Sequence, residues 1–233
     1  MQARAPGSRR FGERMAEGPG LTAPWGAATL RAARATMLDS LLTRPGSPPA
    51  ALLDALARRL GAAGLAADVL THAALACGVG AGALFWLDHG WPALLALAVS
   101  GLLDAVDGRV ARLGRGPTPW GGVLDLTFDR VVEAAVLLGI AVPRPHLHLP
   151  ALVLAATWYV NLCVFLAVGA ASERHPAKVI YYPPGLLERS EGLVFALIVV
   201  ALPRLAGAAL YVYAGLEVVT AAQRFRHGRR ALG

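Results

Sequence analysis

Residues Asp104 to Asp129 read DAVDGRVARLGRGPTPWGGVLDLTFD and hold four aspartates and three arginines. The sequence on both sides of this stretch is strongly apolar. Carboxylates are rare in apolar segments because burial of a charge without a partner is unfavourable. The fold and the function of the chain therefore depend on what these four carboxylates bind.

The composition is that of a membrane protein. Of the 233 residues, 56% are hydrophobic and only 16% are charged, which is a low charge content for a soluble domain. Apolar runs of about 20 residues, enough to cross a bilayer core, recur along the chain. We predict an all-α integral membrane protein with six transmembrane helices, preceded by an amphipathic interfacial helix. The predicted spans are Leu65–Trp86, Pro92–Arg109, Gly121–Val142, Leu149–Ala171, Leu187–Leu202 and Leu205–Ala222.

We expect one membrane domain, residues 37–223, with a polar segment at each end. Residues 1–36 are rich in Ala, Gly, Arg and Pro without periodicity, a composition typical of disorder. Translation from either Met1 or Met37 is compatible with this pattern. Residues 224–233 are predicted to form a basic cytoplasmic tail.

The segment SPPAALLDALARRLG, which begins at Ser47, predicts the interfacial helix. Ser47 can cap it and Pro48 suits its first turn. Its leucines form an apolar stripe, whereas its charged residues face water or anionic headgroups. A solvated linker helix is the alternative.

The net charge is +7, and Lys178 is the only lysine among the basic residues. The arginines concentrate before the first span, in the links after the second and fourth spans, and in the tail. By the positive-inside rule these segments are cytoplasmic. We therefore predict a multi-pass protein of the cytoplasmic membrane, with both termini and the acidic stretch on the cytoplasmic side. Because topology accounts for the arginines, we predict no nucleic-acid partner.

The four aspartates fall on two helix faces. Asp104 and Asp107 are spaced i, i+3, and Asp125 and Asp129 are spaced i, i+4. In an antiparallel hairpin, Asp104 faces Asp129 and Asp107 faces Asp125. Four carboxylates this close cannot all stay ionised unaided, and carboxylate oxygens suit hard divalent ions. The pattern predicts a site for Mg2+ or Mn2+. Two such ions are known to assist nucleophilic displacement at a phosphorus atom.

The full pattern is Asp104-x2-Asp107-Gly108-x2-Ala111-Arg112-x8-Gly121-x3-Asp125-x3-Asp129. It resembles the signature of the CDP-alcohol phosphotransferase (CDP-alcohol phosphatidyltransferase) family, with every position and spacing filled. The resemblance implies a membrane enzyme of phospholipid synthesis, often homodimeric. Such an enzyme moves a phosphatidyl group from CDP-diacylglycerol to the hydroxyl of a polar alcohol and releases CMP, with two divalent cations.

The resemblance also implies a role for each matching residue. Asp104, Asp107 and Asp125 are expected to be metal ligands. Asp129 is expected to bind the second metal and to act as the general base for the acceptor hydroxyl. The residues expected in the CDP pocket are Asp68, Thr71, Gly108, Ala111, Arg112 and Gly121.

The acceptor alcohol stays open at this point. The stretch GLLERSEG resembles a segment that has the sequence Glu-Arg-x-Glu-Arg in some bacterial members that use inositol phosphate. In this chain Gly192 replaces the last arginine of that segment. We expect a glycerol 3-phosphate-like acceptor or another small alcohol. Lys178, Arg189 and Glu133 are the candidates for contact with the acceptor or a phosphate.

Other functions are also compatible with parts of the pattern. A CDP-alcohol could be the donor and diacylglycerol the acceptor. An ion or proton transporter could use the acidic cluster as its path, and it would bind no nucleotide. An inactive relative could serve as a binding partner. In a simpler interpretation the aspartates cap helix ends, paired with Arg109, Arg112 and Arg130.

Overall fold

A computed structural model describes residues 47–114, 116, 118–171 and 189–232, without the side chains of residues 189–191 and 231. Within these ranges, helices are the only regular secondary structure. The predictions made for residues 1–36, for Met37, for Lys178 and for the Arg189 side chain lie outside what is described.

Seven α-helices follow one another along the described chain. Two short 3-10 turns, Pro145–Leu147 and Pro203–Leu205, precede the fifth and seventh helices. The last helix continues past the end of the sixth predicted span at Ala222. The helices are α1 Pro48–Ala62, α2 Ala67–Trp86, α3 Gly90–Leu113, α4 Pro119–Ala141, α5 His148–Ala171, α6 Arg189–Ala201 and α7 Ala206–Leu232.

Three of the helical segments are long and apolar enough to cross a membrane. They are Ala67–Trp86, Pro145–Ala171 and Pro203–Arg230. The apolar part of α6, Gly192–Ala201, is shorter, and α3 and α4 carry the charges of the acidic stretch. The described chain thus has the all-helical, apolar character of a membrane protein, and six spans stay a prediction.

Helix α1 begins as the sequence predicts. Pro48 occupies its first turn, and Ser47 Oγ accepts a hydrogen bond from the backbone N–H of Ala50 at 3.3 Å. Ala57 is fully buried against α2 and α3. The Arg109 Nε atom of α3 donates to Asp54 Oδ1 at 2.9 Å. The apolar stripe of α1 therefore packs mainly on the bundle, and its placement at a membrane surface stays a prediction.

Helix α2 is the centre of the first four helices, because α3 and α4 both pack along it. Small residues make this close packing possible. A Cβ on Gly82 would lie 2.5 Å from the carbonyl oxygen of Ala135 in α4, and a Cβ on Gly139 would overlap the carbonyl oxygen of Gly82. On the α3 side, Ser100 Oγ donates to the Ala74 carbonyl at 2.7 Å.

The described helices form two groups, α1–α4 and α5–α7. Within the second group, α5 and α6 both pack on α7, and α6 packs about as much on α3 of the first group. The two groups share an apolar core at the end of the bundle where α2 turns into α3, and this core includes Phe85, Leu94, Ile140, Leu154 and Leu210. We call this the opposite end, and we call the end that carries the four aspartates the acidic end.

The contact between α2 and α4 gives a stability prediction. In Gly139→Ala the added methyl group has no room, so the two helices must separate. We expect the free energy of unfolding to fall by about 1–3 kcal/mol, as in other overpacked interiors. Thermal unfolding of the purified protein in detergent measures the change.

Gly80→Ala in α2 is the control, because no atom of a neighbouring helix lies within 4 Å of a Cβ placed on Gly80. This control should not lose stability. Equal destabilisation by both variants would show that the glycine contact is not what limits the approach of the helices.

Candidate functional site

Three carboxylates converge at the acidic end of the bundle. Asp104 comes from α3, while Asp125 and Asp129 lie one turn apart on α4. One oxygen from each lies within 4.8 Å of the other two. All three residues are partly exposed. Three hard oxygen donors this close together suit a divalent cation such as Mg2+ or Mn2+.

The fourth aspartate lies beside this cluster and is held by α2. Asp107 is only 7% exposed, and its Oδ2 accepts a hydrogen bond from Thr71 Oγ1 at 2.6 Å. Its carboxylate is within electrostatic range of Asp104 and Asp125, as expected from two facing helix stripes. Because α3 packs on α2, however, its hydrogen-bond partner comes from α2 rather than from α4.

The residues expected in the CDP pocket surround the cluster on three helices. Thr71 contacts Asp107 directly, whereas Asp68 is exposed in the first turn of α2. The Arg112 guanidinium, also exposed, lies 3.5 Å from where a Cβ on Gly108 would be. It therefore covers the glycine surface next to Asp107. Ala111 is partly buried one turn from this glycine.

Gly121 belongs to the first turn of α4. Its backbone N–H donates to the side-chain oxygen of Thr118 at 3.0 Å, and Pro119 follows this cap at the first helical position. A threonine followed by proline before an apolar run is a readable helix-start signal. The start of α4 is thus fixed one turn before Asp125.

An apolar cavity of about 390 Å³ adjoins the cluster. It lies between the two helix groups, with Asp129 and Glu133 in the same wall. Glu133 Oε2 also forms an ion pair with Arg130 Nη1 at 2.6 Å. Most of the other lining residues are aliphatic or aromatic, from Leu52 of α1 to Leu210 of α7. The cluster is therefore continuous with a space that suits a lipid chain.

A second polar cluster, which the sequence analysis missed in part, joins α5 and α7. Glu217 is 6% exposed and accepts a hydrogen bond from the side-chain amide of Asn161. Arg224 Nη1 donates to Asn161 Oδ1 at 2.9 Å. Asn161 thus hydrogen-bonds from α5 to two residues of α7. A single glutamate inside the apolar run of α7 was the available signal for Glu217.

Comparison with known sequences identifies the family. The sequence profile of the family CDP-alcohol phosphatidyltransferase matches residues 64–221. The chain belongs to this family. The predictions of an enzyme, and of a transferase of phospholipid synthesis, are thereby confirmed.

Named relatives and solved structures agree with this assignment. The phosphatidylinositol phosphate synthase of Mycolicibacterium smegmatis is 33% identical over 181 residues, which are 73% of this chain and 81% of that protein. The phosphatidylinositol phosphate synthase of Mycobacterium tuberculosis with CDP-DAG bound has a TM-score of 0.60 at 24% identity, over 76% of this chain and 92% of that one. Its complex with manganese and citrate has a TM-score of 0.61 at 24% identity, over 76% and 88% of the two chains. At this identity the structural likeness shows a shared fold.

The contact between Thr71 and Asp107 can be tested through stability. Thr71→Val removes the hydroxyl group and leaves a buried carboxylate oxygen without this donor. We expect the free energy of unfolding to fall by about 1–3 kcal/mol, measured by thermal unfolding in detergent without added divalent ions. In the control Thr157→Val, the lost hydroxyl bonds only the Leu154 carbonyl of its own helix. Similar losses in the two variants would contradict a specific role for the contact with Asp107.

Proposed function

We propose that the protein moves a phosphatidyl group from CDP-diacylglycerol to the hydroxyl of a polar alcohol and releases CMP. One observation carries this proposal: the carboxylate cluster of Asp104, Asp125 and Asp129 opens directly onto an apolar cavity. A site of this kind accommodates a substrate that joins a pyrophosphate to acyl chains. The structural relative with CDP-DAG bound supports the same donor.

The cavity supports a lipid-linked donor. It extends from Leu53 on α1, past Asp129, to Leu154 on α5 and Leu210 on α7. Ligand pockets of this size class are mainly apolar with a few convergent polar groups. Here those polar groups lie in one wall. The reacting phosphate of the donor would therefore lie at this wall, and its acyl chains would lie against the apolar remainder of the cavity.

The aspartate cluster supports a divalent cation as cofactor, Mg2+ or Mn2+, and we propose two such ions with Asp107 completing the ligand set. When bound, these ions would neutralise the pyrophosphate and stabilise the CMP leaving group. The manganese complex of the structural relative supports this choice. Thr71, Gly108, Ala111, Arg112 and Gly121 would contact the CDP part, with Asp68 at the edge of the site.

In the transfer step, the acceptor oxygen forms a bond to the phosphorus that carries the diacylglycerol. The bond from this phosphorus to the CMP oxygen breaks, and CMP leaves with the electron pair. Asp129 takes the proton of the acceptor hydroxyl as general base. The position of Asp129 in both the cluster and the cavity wall supports this role.

The acceptor is proposed to be a small polar alcohol that carries a phosphate. The phosphatidylinositol phosphate synthase relative supports an inositol phosphate-like acceptor alongside the glycerol 3-phosphate-like acceptor expected from the sequence. Glu133 in the cavity wall is proposed to orient the acceptor, with Lys178 and Arg189 binding its phosphate.

We also propose how the enzyme is arranged in the membrane. We propose six spans in the cytoplasmic membrane, an interfacial α1, both termini and the active site on the cytoplasmic side, and a homodimer. The arginines at the acidic end of the described chain and in the tail support this orientation. A donor with acyl chains would then enter from the bilayer, while CMP and a polar acceptor exchange with water.

CMP release by the purified protein is the direct test. The assay contains CDP-diacylglycerol, Mg2+ or Mn2+, and an acceptor panel of glycerol 3-phosphate, inositol phosphate, inositol, serine, glycerol and phosphatidylglycerol. We expect one acceptor to support release, and Asp129→Asn to lower kcat about 10²–10⁴-fold as the general base is lost.

Asp88→Asn is the matched control, because Asp88 is an exposed carboxylate at the opposite end and should leave the rate unchanged. Folded protein that releases no CMP with any acceptor would contradict the proposal. Assays with CDP-alcohols and diacylglycerol, and of ion flux in vesicles, would then separate the remaining functions.

Metal binding gives an independent prediction. Asp125→Asn removes one carboxylate from the cluster, so we expect the affinity for Mn2+ to fall at least about tenfold, within the range known for disturbed metal sites. Electron paramagnetic resonance of free Mn2+ during titration measures this affinity without any turnover. Asp88→Asn should bind Mn2+ as the unmodified protein does. Unchanged affinity in Asp125→Asn would contradict the assignment of the cluster.

A further inference from the structure

The two halves of α1 have different surroundings. In the C-terminal half, Ala57 is fully buried in a small apolar cluster that α1 forms with α2 and α3. In the N-terminal half, Leu52 is 71% exposed and belongs to the lining of the apolar cavity. The C-terminal half therefore attaches α1 to the bundle, and the N-terminal half closes one side of the cavity. The residues of α1 in the cavity lining are Pro49, Leu52 and Leu53.

An ion pair joins α1 to α3 at the boundary between these two halves. Arg109 Nε donates to Asp54 Oδ1 at 2.9 Å, and the two side chains are 12% and 53% exposed. Arg109 Nη1 also donates to the backbone carbonyl of Ala105 at 2.7 Å. Ala105 lines the same cavity as Leu53, the residue before Asp54. The guanidinium therefore fixes the distance between the two helices directly beside the cavity wall.

Stability alone does not account for this ion pair. A pair with a half-exposed carboxylate adds little to the free energy of folding, because water solvates the charge when the contact is broken. The burial of Ala57 already attaches α1 to the bundle. A guanidinium with two directed hydrogen bonds, in contrast, determines geometry well. The contact thus determines where α1 lies more than whether it is attached.

The wall that α1 forms is apolar and close to the acidic cluster. Ala105 follows the cluster residue Asp104 in α3, and Asp129 of the cluster is itself part of the cavity lining. The three carboxylates of the cluster come from α3 and α4, whereas the residues that α1 adds to the lining are apolar. A displacement of α1 should therefore change the apolar part of the site and leave the carboxylates in place.

We propose that the ion pair of Asp54 and Arg109 positions α1 for recognition of the lipid-linked donor, with Leu52 and Leu53 in contact with its acyl chains. This inference rests on the proposed function, because the donor is CDP-diacylglycerol. Without the ion pair, the N-terminal half of α1 moves away from the cavity and loses contacts with the acyl chains. The nucleotide part of the donor does not contact α1, so its binding does not depend on the pair.

Equilibrium binding of two ligands to the full chain tests this proposal. Calorimetry in detergent with Mg2+ compares CDP-diacylglycerol with CMP, which has no acyl chains. We expect Asp54→Asn to raise the Kd for CDP-diacylglycerol about three- to fivefold, near the upper limit for a partly exposed pair, and to leave the Kd for CMP unchanged. In turnover the same variant should raise the KM for the donor without a change in kcat. Asp54→Glu keeps the carboxylate and should restore donor binding.

Asp88→Asn is the matched control for the ion pair, because Asp88 pairs with Arg144 at the opposite end, far from α1. It should bind both ligands as the unmodified protein does. Leu52→Ala tests the wall itself and should weaken binding of CDP-diacylglycerol at least about twofold through lost dispersion contacts. Its control is Leu149→Ala, since Leu149 of α5 is similarly exposed, at 62%, and lies outside the cavity lining.

Two outcomes with Asp54→Asn would overturn the proposal. Equal losses of affinity for CDP-diacylglycerol and CMP would show that the pair acts on the acidic site, and unchanged affinity for both would show that it positions nothing that the donor contacts. If Asp54→Asn fails to fold, Leu52→Ala alone must show the selective loss. Normal donor binding by Leu52→Ala would then overturn the proposal.

The same measurements separate this inference from the proposed function. A protein that binds CDP-diacylglycerol but releases no CMP with any acceptor would contradict the proposed transfer, and its binding data would still decide the role of α1. Turnover with normal donor binding in Asp54→Asn would overturn the role of α1 and leave the transfer standing. A protein that binds no CDP-diacylglycerol would overturn both.

Discussion

The close approach of α2 and α4 at Gly82 and Gly139 is the contact on which the acidic site depends. Without side chains between them, the two helices can lie backbone to backbone, and α3 packs on α2 from another side. Both helices that carry the aspartates, α3 and α4, therefore pack against the same central helix, α2. Asp104 reaches Asp125 and Asp129, while Thr71 of α2 itself reaches Asp107. A larger residue at either glycine would push α4 away from α2. The two aspartates that α4 supplies would then move away from Asp104.

The two ends of the bundle differ in what holds them together. The opposite end has a continuous apolar core to which six helices contribute, including Phe85 of α2 and Leu154 of α5. The acidic end has a smaller cluster around Ala57 and Val106 that involves only α1, α2 and α3. Between these regions the helix groups leave a cavity instead of packing together. A firm core at one end and an open, polar site at the other end suit the lipid-linked donor that we propose.

Much of this arrangement could be predicted from the sequence, because it depends on local patterns. Helix positions follow from apolar run length, the start of α1 follows from Ser47 and Pro48, and the shared face of Asp125 and Asp129 follows from their spacing. The partner of Asp107 could not be predicted in the same way. Periodicity assigns a residue to a face of its helix, but the helix that covers this face is decided by long-range packing. Residue spacing relates only α3 to α4, whereas the hydrogen-bond partner of Asp107 comes from a third helix, α2.

The bundle contains a buried acid, Glu217, and a cluster of partly exposed acids, and the two differ in their surroundings. Glu217 is buried and accepts a hydrogen bond from the side-chain amide of Asn161, which itself accepts one from Arg224. Asp104, Asp125 and Asp129 instead point one oxygen each at a common position that carboxylates alone would make strongly repulsive. An acid that the protein compensates internally fixes geometry, because its contacts are already made. Carboxylate oxygens this close together suit a divalent cation that comes from outside the protein. By this distinction the cluster, rather than Glu217, is the place where we propose that the reaction occurs.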